Sequence, residues 1–356
     1  MKNRIEFIKE LSDAYGAPGF EDDVLKVVKN NIDEGYEFEE DCLRNLYITE
    51  ENSKEDALTI MLDGHSDEVA LIVQSIKKNG LMKFLPLGGW VPASLVAQKV
   101  KVRNEDGDYI SGIISSKPPH FMSEEEKKQQ VSIDKLFIDI GATTKSEVED
   151  LFKINVGAPV VPDVVCEFNE KNNTFIGKAF DNRIGVACVV ETMKTLKKEE
   201  TNNRIVGVVA AQEEVGLRGA VVTSRRVKPD IAIVFEGTPA DDSFKDEDEA
   251  QSVLGKGPQI RHFDRCMITN PRFVSKVRMI AKEIGMPFQD AIRIGGGTNG
   301  GPIHLSNSGV PTIVIGVPVR YVHTHHGITR LEDFNQTVKW AVEISKRLTK
   351  EDVKGF

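Results

Sequence analysis

The spacing of hydrophobic positions changes character along the chain. Near the start Ile5, Phe7, Ile8 and Leu11 recur at helical spacing and stop before the turn signals of GAPGFED, Gly16 to Asp22. Ala57 to Ile76, ALTIMLDGHSDEVALIVQSI, reads as a strand, a polar corner and a second strand. From about Ile72 to Val164 the texture becomes short β-like runs split by turns (GLMKFLPLGGW, LVAQKVKVRN, DYISGIISS, KLFIDIGA). This predicts a small barrel or sandwich, with KPPHFMSEEEKKQQ, Lys117 to Gln130, as an exposed loop. After Pro162 helical patterns alternate with apolar strands: FDNRIGVACVVETMKTLKK, then RIVGVVAAQ, LRGAVVTSRRV, DIAIVFEG, PRFVSKVRMIAKEIG, TIVIGVP and RLEDFNQTVKWAVEISKRL. Alternation of that kind is the mark of a sheet covered by helices. The expected fold is α/β, a mixed, helix-covered sheet built from residues 1–71 and 165–356 and interrupted by a β-rich domain at 72–164.

A chain of 356 residues fits this two-domain reading, since single cores rarely organise so much. Hydrophobic residues at 40% and charged residues at 28% give ordinary globular material. A net charge of -9 with no basic stripe argues against nucleic acid and anionic membrane as partners. Cys42, Cys166, Cys188 and Cys266 are scattered without metal-type pairing, which suits a reducing compartment. The amphipathic start is unlike a secretory signal and no apolar run reaches membrane-spanning length, so the expected location is cytoplasmic.

Residues able to bind metal recur just past the ends of predicted strands, the edge where open α/β sheets place their sites. They are His65, Asp67 and Glu68 after LTIMLDG, Asp181 in KAFDNR, Glu213 and Glu214 after VVAAQ, Glu236 after IAIVF, and His323 after VIGVPVRYV. Each has an ordinary structural reading. His65 can be a turn histidine, Asp181 a helix N-cap, and the paired glutamates a complement to a helix dipole. Glu236 can cap a turn, and HTHH, His323 to His326, can be a solvated loop. Their conjunction points to Zn²⁺, Co²⁺ or Mn²⁺, because imidazole and carboxylate are ligands of intermediate hardness and isolated cysteines exclude a thiolate site. Such a set could hold two ions a few ångströms apart, with one carboxylate bridging. If Glu214 is tied to a cation, its neighbour Glu213 is left as a carboxylate able to take a proton from water and pass it to a leaving amine.

At these residues the sequence resembles the co-catalytic aminopeptidases of metallopeptidase family 42, which include glutamyl and deblocking aminopeptidases and the self-compartmentalising tetrahedral peptidases. The likeness runs in order through GAPGFED, DGHSDEVALIV, KPPHFMSEEEKK, LFIDIGATTKSEVEDL, VGAPVVPD, GKAFDNRIGVAC, AQEEVGLRGA and GGTNGGPIHLSNSGVPTIVIGVPVRYVHT. The resemblance implies a dinuclear metal site with His65 and Glu236 among the terminal ligands, Asp181 bridging, and Glu214 and His323 completing the shell. It also implies Glu213 as general base and Asp67 orienting His65. His323, and not His325 or His326, takes the family's RYxH position. The inserted domain would be PDZ-like or barrel-like and used in assembly, and the particle a homo-oligomer, from dimer to dodecamer.

Two departures stand out. Many relatives have aspartate where this chain has Glu236, and Asn299 in GGTNGG stands where relatives often carry aspartate, a change bearing on recognition of a substrate's free amine. GGGTNGG, Gly295 to Gly301, lacks the ending of a P-loop and reads instead as a wall beside which a peptide backbone can lie. His304 reads as structural, His120 as a solvated loop histidine, and ADDSFKDEDEAQ, Ala240 to Gln251, as a solvated acidic loop. The expected activity is removal of N-terminal residues from short peptides through a water activated by two metal ions. The alternatives are a two-metal carboxypeptidase or an amidohydrolase on N-acylated substrates, then a glucanase, for which two tryptophans offer little sugar stacking, and last a non-enzymatic metal protein.

Overall fold

The computed structural model describes residues 4–51, 57–199 and 201–356. Its strands in chain order are β1 Tyr36–Glu40, β2 Leu46–Glu50, β3 Thr59–His65, β4 Ala70–Ile76, β5 Met82–Leu87, β6 Lys99–Arg103, β7 Tyr109–Ser115, β8 Phe137–Asp139 and β9 Pro159–Pro162. There follow β10 Glu167–Asn169, β11 Thr174–Gly177, β12 Arg204–Ala210, β13 Ile231–Pro239, β14 Gln259–Phe263, β15 Gln289–Ile292, β16 Thr312–Arg320 and β17 Gly327–Arg330.

Among the described residues one sheet runs β1-β2-β12-β3-β13-β16-β17-β11-β10, with β14 on β16 and β15 on β14. Strands β12, β3, β13 and β16 are mutually parallel, and the flanking strands β2, β14 and β17 pair with them antiparallel. The sheet is therefore mixed. The four parallel strands are buried almost residue for residue, which is why their sequences read as unbroken apolar runs rather than alternating ones. Helix Phe180–Glu199 lies against β3 and β13, and helix Leu331–Arg347 packs on it in turn. Trp340, fully buried there, donates its indole N–H to the Val277 carbonyl at 3.1 Å. The opposite face is covered by helices Arg218–Val227 and Gly300–His304.

The β-rich segment closes as a barrel in the order β4-β5-β8-β7-β6-β9, around its own core of Leu71, Val73, Phe84, Val102, Ile138 and Val160. Chain passes from sheet to barrel through one corner, Ser66 to Val69, between β3 and β4. A buried charge cluster locks that corner. Lys178 Nζ donates to both oxygens of Glu68, at 2.7 and 2.9 Å, and to the Ala14 carbonyl. Arg183 donates to Glu68 Oε1 at 3.0 Å and to the carbonyls of Ser66, Leu11 and Ala14. Burial pushes the Lys178 ammonium down to about 8 against the attraction of Glu68. Replacing Glu68 by glutamine strands two buried cations, and we expect stability to fall by about 3–5 kcal/mol, read from the urea midpoint. A midpoint equal to wild type would show that the cluster does not hold the corner.

The acidic loop is only partly solvated. Asp241, 2% exposed, accepts amide N–H groups from Gln251 and Ser252 and pairs with Arg293 at 2.9 Å, while Asp242 pairs with Arg320 at 2.7 Å. Its other acids, from Asp246 to Glu249, are exposed. No helix among the described residues is long and apolar enough to cross a membrane.

Candidate metal centre

The sequence candidates converge at the carboxyl edge of the parallel strands, except Glu68, whose carboxylate is taken up by Lys178 and Arg183. His65 ends β3, Glu236 lies within β13, Glu213 and Glu214 follow β12 in a turn, and His323 follows β16. Asp181 enters from the start of helix Phe180–Glu199. The turn after β12 holds Gln212 and Leu217 at positive φ, +55° and +57°, and the Glu213 carbonyl accepts the N–H groups of Gly216 and Leu217 at 2.9 and 2.8 Å. Non-glycine residues adopt that backbone region only where surrounding contacts over-determine it. Asp67 supplies such contacts: Oδ1 accepts the Glu213 N–H and Oδ2 the Glu214 N–H, both at 2.9 Å. The fully buried Asp67 carboxylate thus fixes both glutamates through the main chain. His65 is oriented by the same residue, Nδ1 lying 3.1 Å from the Asp67 carbonyl and 3.4 Å from Oδ1.

Asp181 is not the helix cap. Both Asp181 and Asn182 have the non-helical torsions of a cap position, and the hydrogen bonds decide between them. The capping side chain is Asn182, whose Oδ1 accepts from Gly185 N–H at 3.1 Å and from Gly237 N–H at 3.0 Å while its Nδ2 donates to the Phe235 carbonyl at 2.7 Å. Asn182 therefore grips the strand on either side of Glu236 and frees the Asp181 carboxylate for the site. Asp181 turns one oxygen to each histidine. Oδ1 lies 3.2 Å from His65 Nε2, and Oδ2 lies 3.5 Å from His323 Nε2. Glu236 Oε2 is 3.8 Å and Glu213 Oε2 3.9 Å from His65 Nε2, and Glu214 Oε2 is 3.5 Å from His323 Nε2. His65, Glu213 and Glu236 offer ligand atoms within 4.8 Å of one another, as do His65, Asp181 and Glu214.

The electrostatics describe a site short of positive charge. Burial, then the neighbouring acids, push Glu213 and Glu214 up to about 8, and Glu236 rises well above the carboxylate range for the same reasons. Burial opposes ionisation of Asp181 too, but hydrogen bonds with His323 and His65 outweigh it and hold its carboxyl below the usual range. Burial likewise works against charging the imidazoles. For His65 the Glu213 charge and hydrogen bonds to Asp181 and Asp67 prevail, and for His323, at about 9, Asp181 and Glu214 do. Buried oxygens Glu214 Oε1 and Glu236 Oε1 have no hydrogen-bond partner, an arrangement that costs free energy unless a cation occupies the neighbourhood. Ligand atoms around a tetrahedral ion at about 2.0–2.1 Å stand roughly 3.3 Å apart, close to the separations between Asp181 and the histidines. The donor set, its spacing and its orphaned oxygens all fit divalent metal.

Beside these groups opens a cavity of about 610 Å³, walled by Leu217, Val322, Arg261, Arg293, Gly295 to Gly297 and Thr298. A larger hollow of about 770 Å³ lies at the opposite edge of the sheet, against Lys228, Asn270, His304 and Phe356, without converging carboxylates. Asn299 stays off the cavity wall, donating from Nδ2 to the buried Asp63 at 2.8 Å. His304 bonds its own helix through the Gly300 carbonyl, and His120 is exposed. Asn182, Lys178, Arg183, Arg261 and Arg293 escaped the sequence reading, because an arginine or asparagine in an apolar run carries no signal of which distant strand it meets.

A sequence model of the M42 glutamyl aminopeptidase family matches residues 45–340. The chain belongs to this family. It is an aminopeptidase, a hydrolase of peptide bonds. The glutamyl aminopeptidase of Lactococcus lactis is 31% identical over 347 residues, covering 97% of both chains. Among solved structures, the TET aminopeptidase of a marine sediment Thaumarchaeota archaeon superposes with TM-score 0.95 at 38% identity, covering 99% of each chain. The Pyrococcus horikoshii TET1 peptidase, which can assemble into a tetrahedron or a large octahedral shell, gives TM-score 0.87 at 26% identity over 97% of this chain and 100% of that one. This M42 member shares the whole architecture with them, barrel included.

Proposed function

We propose that this aminopeptidase releases the first residue of short peptides at a site for two divalent ions, zinc, cobalt or manganese, with Glu213 carrying the proton. The observation that supports the pairing of ions most directly is Asp181, which faces His65 with one oxygen and His323 with the other, at 3.2 and 3.5 Å. In this reading His65 and Glu236 hold one ion, Glu214 and His323 the other, and Asp181 both. When bound, the two ions supply a nucleophilic water at neutral pH and polarise the scissile carbonyl. Glu213 then accepts a proton from the attacking water on its carboxylate and delivers it to the departing amine. Asp67, through the amides of Glu213 and Glu214, keeps base and ligand in register. When ionised, Asp181, Glu213, Glu214 and Glu236 together would balance the charge of two divalent cations.

Two arginines on the cavity wall already have carboxylate partners, Arg261 with Asp264 at 3.5 Å and Arg293 with Asp241 at 2.9 Å, so neither offers a free charge to the first residue of a peptide. The barrel at 72–164 is assigned to assembly, subunits joining as dimers into a larger homo-oligomer, and the TET shells support this by likeness. No phenylalanine, tyrosine or tryptophan lines the cavity among the described residues, which leaves a sugar without the usual stacking surface.

The test uses glutamyl, leucyl and lysyl anilides, each with a free and an acetylated amine, before and after chelation. Hydrolysis of free-amine substrates alone, abolished by chelator and restored by Zn²⁺, Co²⁺ or Mn²⁺, is the expected result, and the three anilides rank the preferred first residue. Equal cleavage of acetylated substrates would favour the amidohydrolase reading, and chelator-resistant turnover would remove the metal.

A further inference from the structure

The inserted barrel reaches into the metal centre. Its loop Gly88–Gly89–Trp90, just after β5, lies against the two elements that carry Glu214 and His323. A Cβ built at Gly88 would stand 3.1 Å from Glu214 Oε2 and 2.8 Å from Val69 Cγ1, and the residue has φ of +87°. A Cβ at Gly89 would stand 3.2 Å from His323 Nδ1, so the Gly89 main chain packs directly against the imidazole. Gly89 also lines the cavity. The loop thus needs glycine at Gly88 on two counts, backbone sign and close approach. Trp90 continues the contact: its ring lies 5.4 Å from that of His325, and its Nε1–H is anchored on the Ala70 carbonyl at 3.1 Å.

What this contact restrains cannot easily hold itself. The turn from Tyr321 to His326 places both Tyr321 and His323 at positive φ, +64° and +58°. Non-glycine residues hold that backbone region only under external constraint. Within the turn the single O–H of Thr324 lies within reach of two carbonyls, those of Tyr321 and His326, and can donate to one at a time. His325 is 2% exposed and neither ring nitrogen has a hydrogen-bond partner, so packing, the Trp90 ring included, holds it in place. The His323 side chain is 37% exposed, the most accessible of the candidate ligands, and so depends most on a neighbour to orient it.

We propose that Gly88–Trp90 of the barrel is a positioning element of the catalytic centre, holding His323 through Gly89 and the turn behind it through Trp90 in the orientation the second ion requires. The barrel then has a part in the chemistry separate from any part in assembly. This rests on the two-ion reading given above. Outer partners of metal-bound histidines typically contribute ~10–100-fold to metal affinity, which sets the expected size of the effect.

The test measures metal rather than turnover. Metal-free full-length wild type, Trp90→Ala, Trp90→Phe and Gly89→Ala are dialysed against graded Zn²⁺, and the visible spectrum of the Co²⁺ forms is recorded. Wild type is expected to bind two ions per subunit. Trp90→Ala should bind one ion normally and the other about 10–100-fold more weakly, with an altered cobalt spectrum. Trp90→Phe, which keeps a ring against His325, should restore most of that affinity. Gly89→Ala, pressing on His323 without removing the tryptophan, should weaken the same ion and serves where Trp90→Ala fails to fold. Two ions bound with wild-type affinity and spectrum in Gly89→Ala and in folded Trp90→Ala would overturn the proposal. Failure of wild type to take up two ions would instead bring down the reading beneath it.

Discussion

Replacing Glu213 by glutamine is expected to lower kcat by about 10²–10⁴-fold while leaving the metal content of the protein unchanged. Glutamine has nearly the same shape but cannot take a proton from water. The main-chain N–H of residue 213 still meets Asp67 Oδ1 at 2.9 Å, so the turn that also carries Glu214 keeps its place. The separation of effects is the point of the experiment, since Glu213 Oε2 lies 3.9 Å from His65 Nε2, close enough to be a ligand on distance alone. Steady-state kinetics and elemental analysis of the same preparation decide it. Lost metal would make Glu213 a ligand, and undiminished kcat would take the proton away from it.

Asp181→Asn should do the opposite, removing metal and activity together. Asparagine offers one oxygen and one NH₂ donor, and whichever way it turns, the donor faces a histidine that Asp181 now meets with an oxygen. Outer-partner mutations already cost ~10–100-fold in metal affinity, so loss of a shared ligand should exceed that for both ions and reduce kcat/KM by more than about 10³-fold. Titration with zinc checks it. Weakening of one ion only would show that Asp181 does not bridge. His323→Ala is the internal comparison, because it touches only the ion that Glu214 shares.

The parts of this site that were readable in the sequence are those whose position follows from local order. His65, Glu236 and the residues after Ala210 and Arg320 come directly out of apolar runs, and apolar runs that are buried on both faces become parallel strands whose ends converge. The barrel was legible as short alternating runs, although barrel and sandwich share that pattern and closure of β4 onto β9 is a matter of pairing at long separation. Asp181 was harder, because an acid ahead of a helix is most simply a cap; here Asn182 does the capping, and that exchange depends on Phe235 and Gly237, more than fifty residues on. Lys178 and Arg183 gave no warning, and Glu68, which reads from the sequence as a metal-binding candidate, is taken up by them across 110 and 115 residues. Asp67 was assigned to His65, yet its carboxylate spends its strongest contacts on two amides 146 and 147 residues away. The acidic loop misled for the same reason. Its composition says solvent, but Arg293 and Arg320, which neutralise Asp241 and Asp242, come from other strands and loops.

The central claim is that one aspartate is shared by two cations. Crystals grown with zinc and measured on both sides of its absorption edge test it most directly. The account predicts two anomalous peaks, one on either side of the Asp181 carboxylate, the first reached by His65 and Glu236 and the second by Glu214 and His323. A single peak, or peaks remote from Asp181, would contradict it.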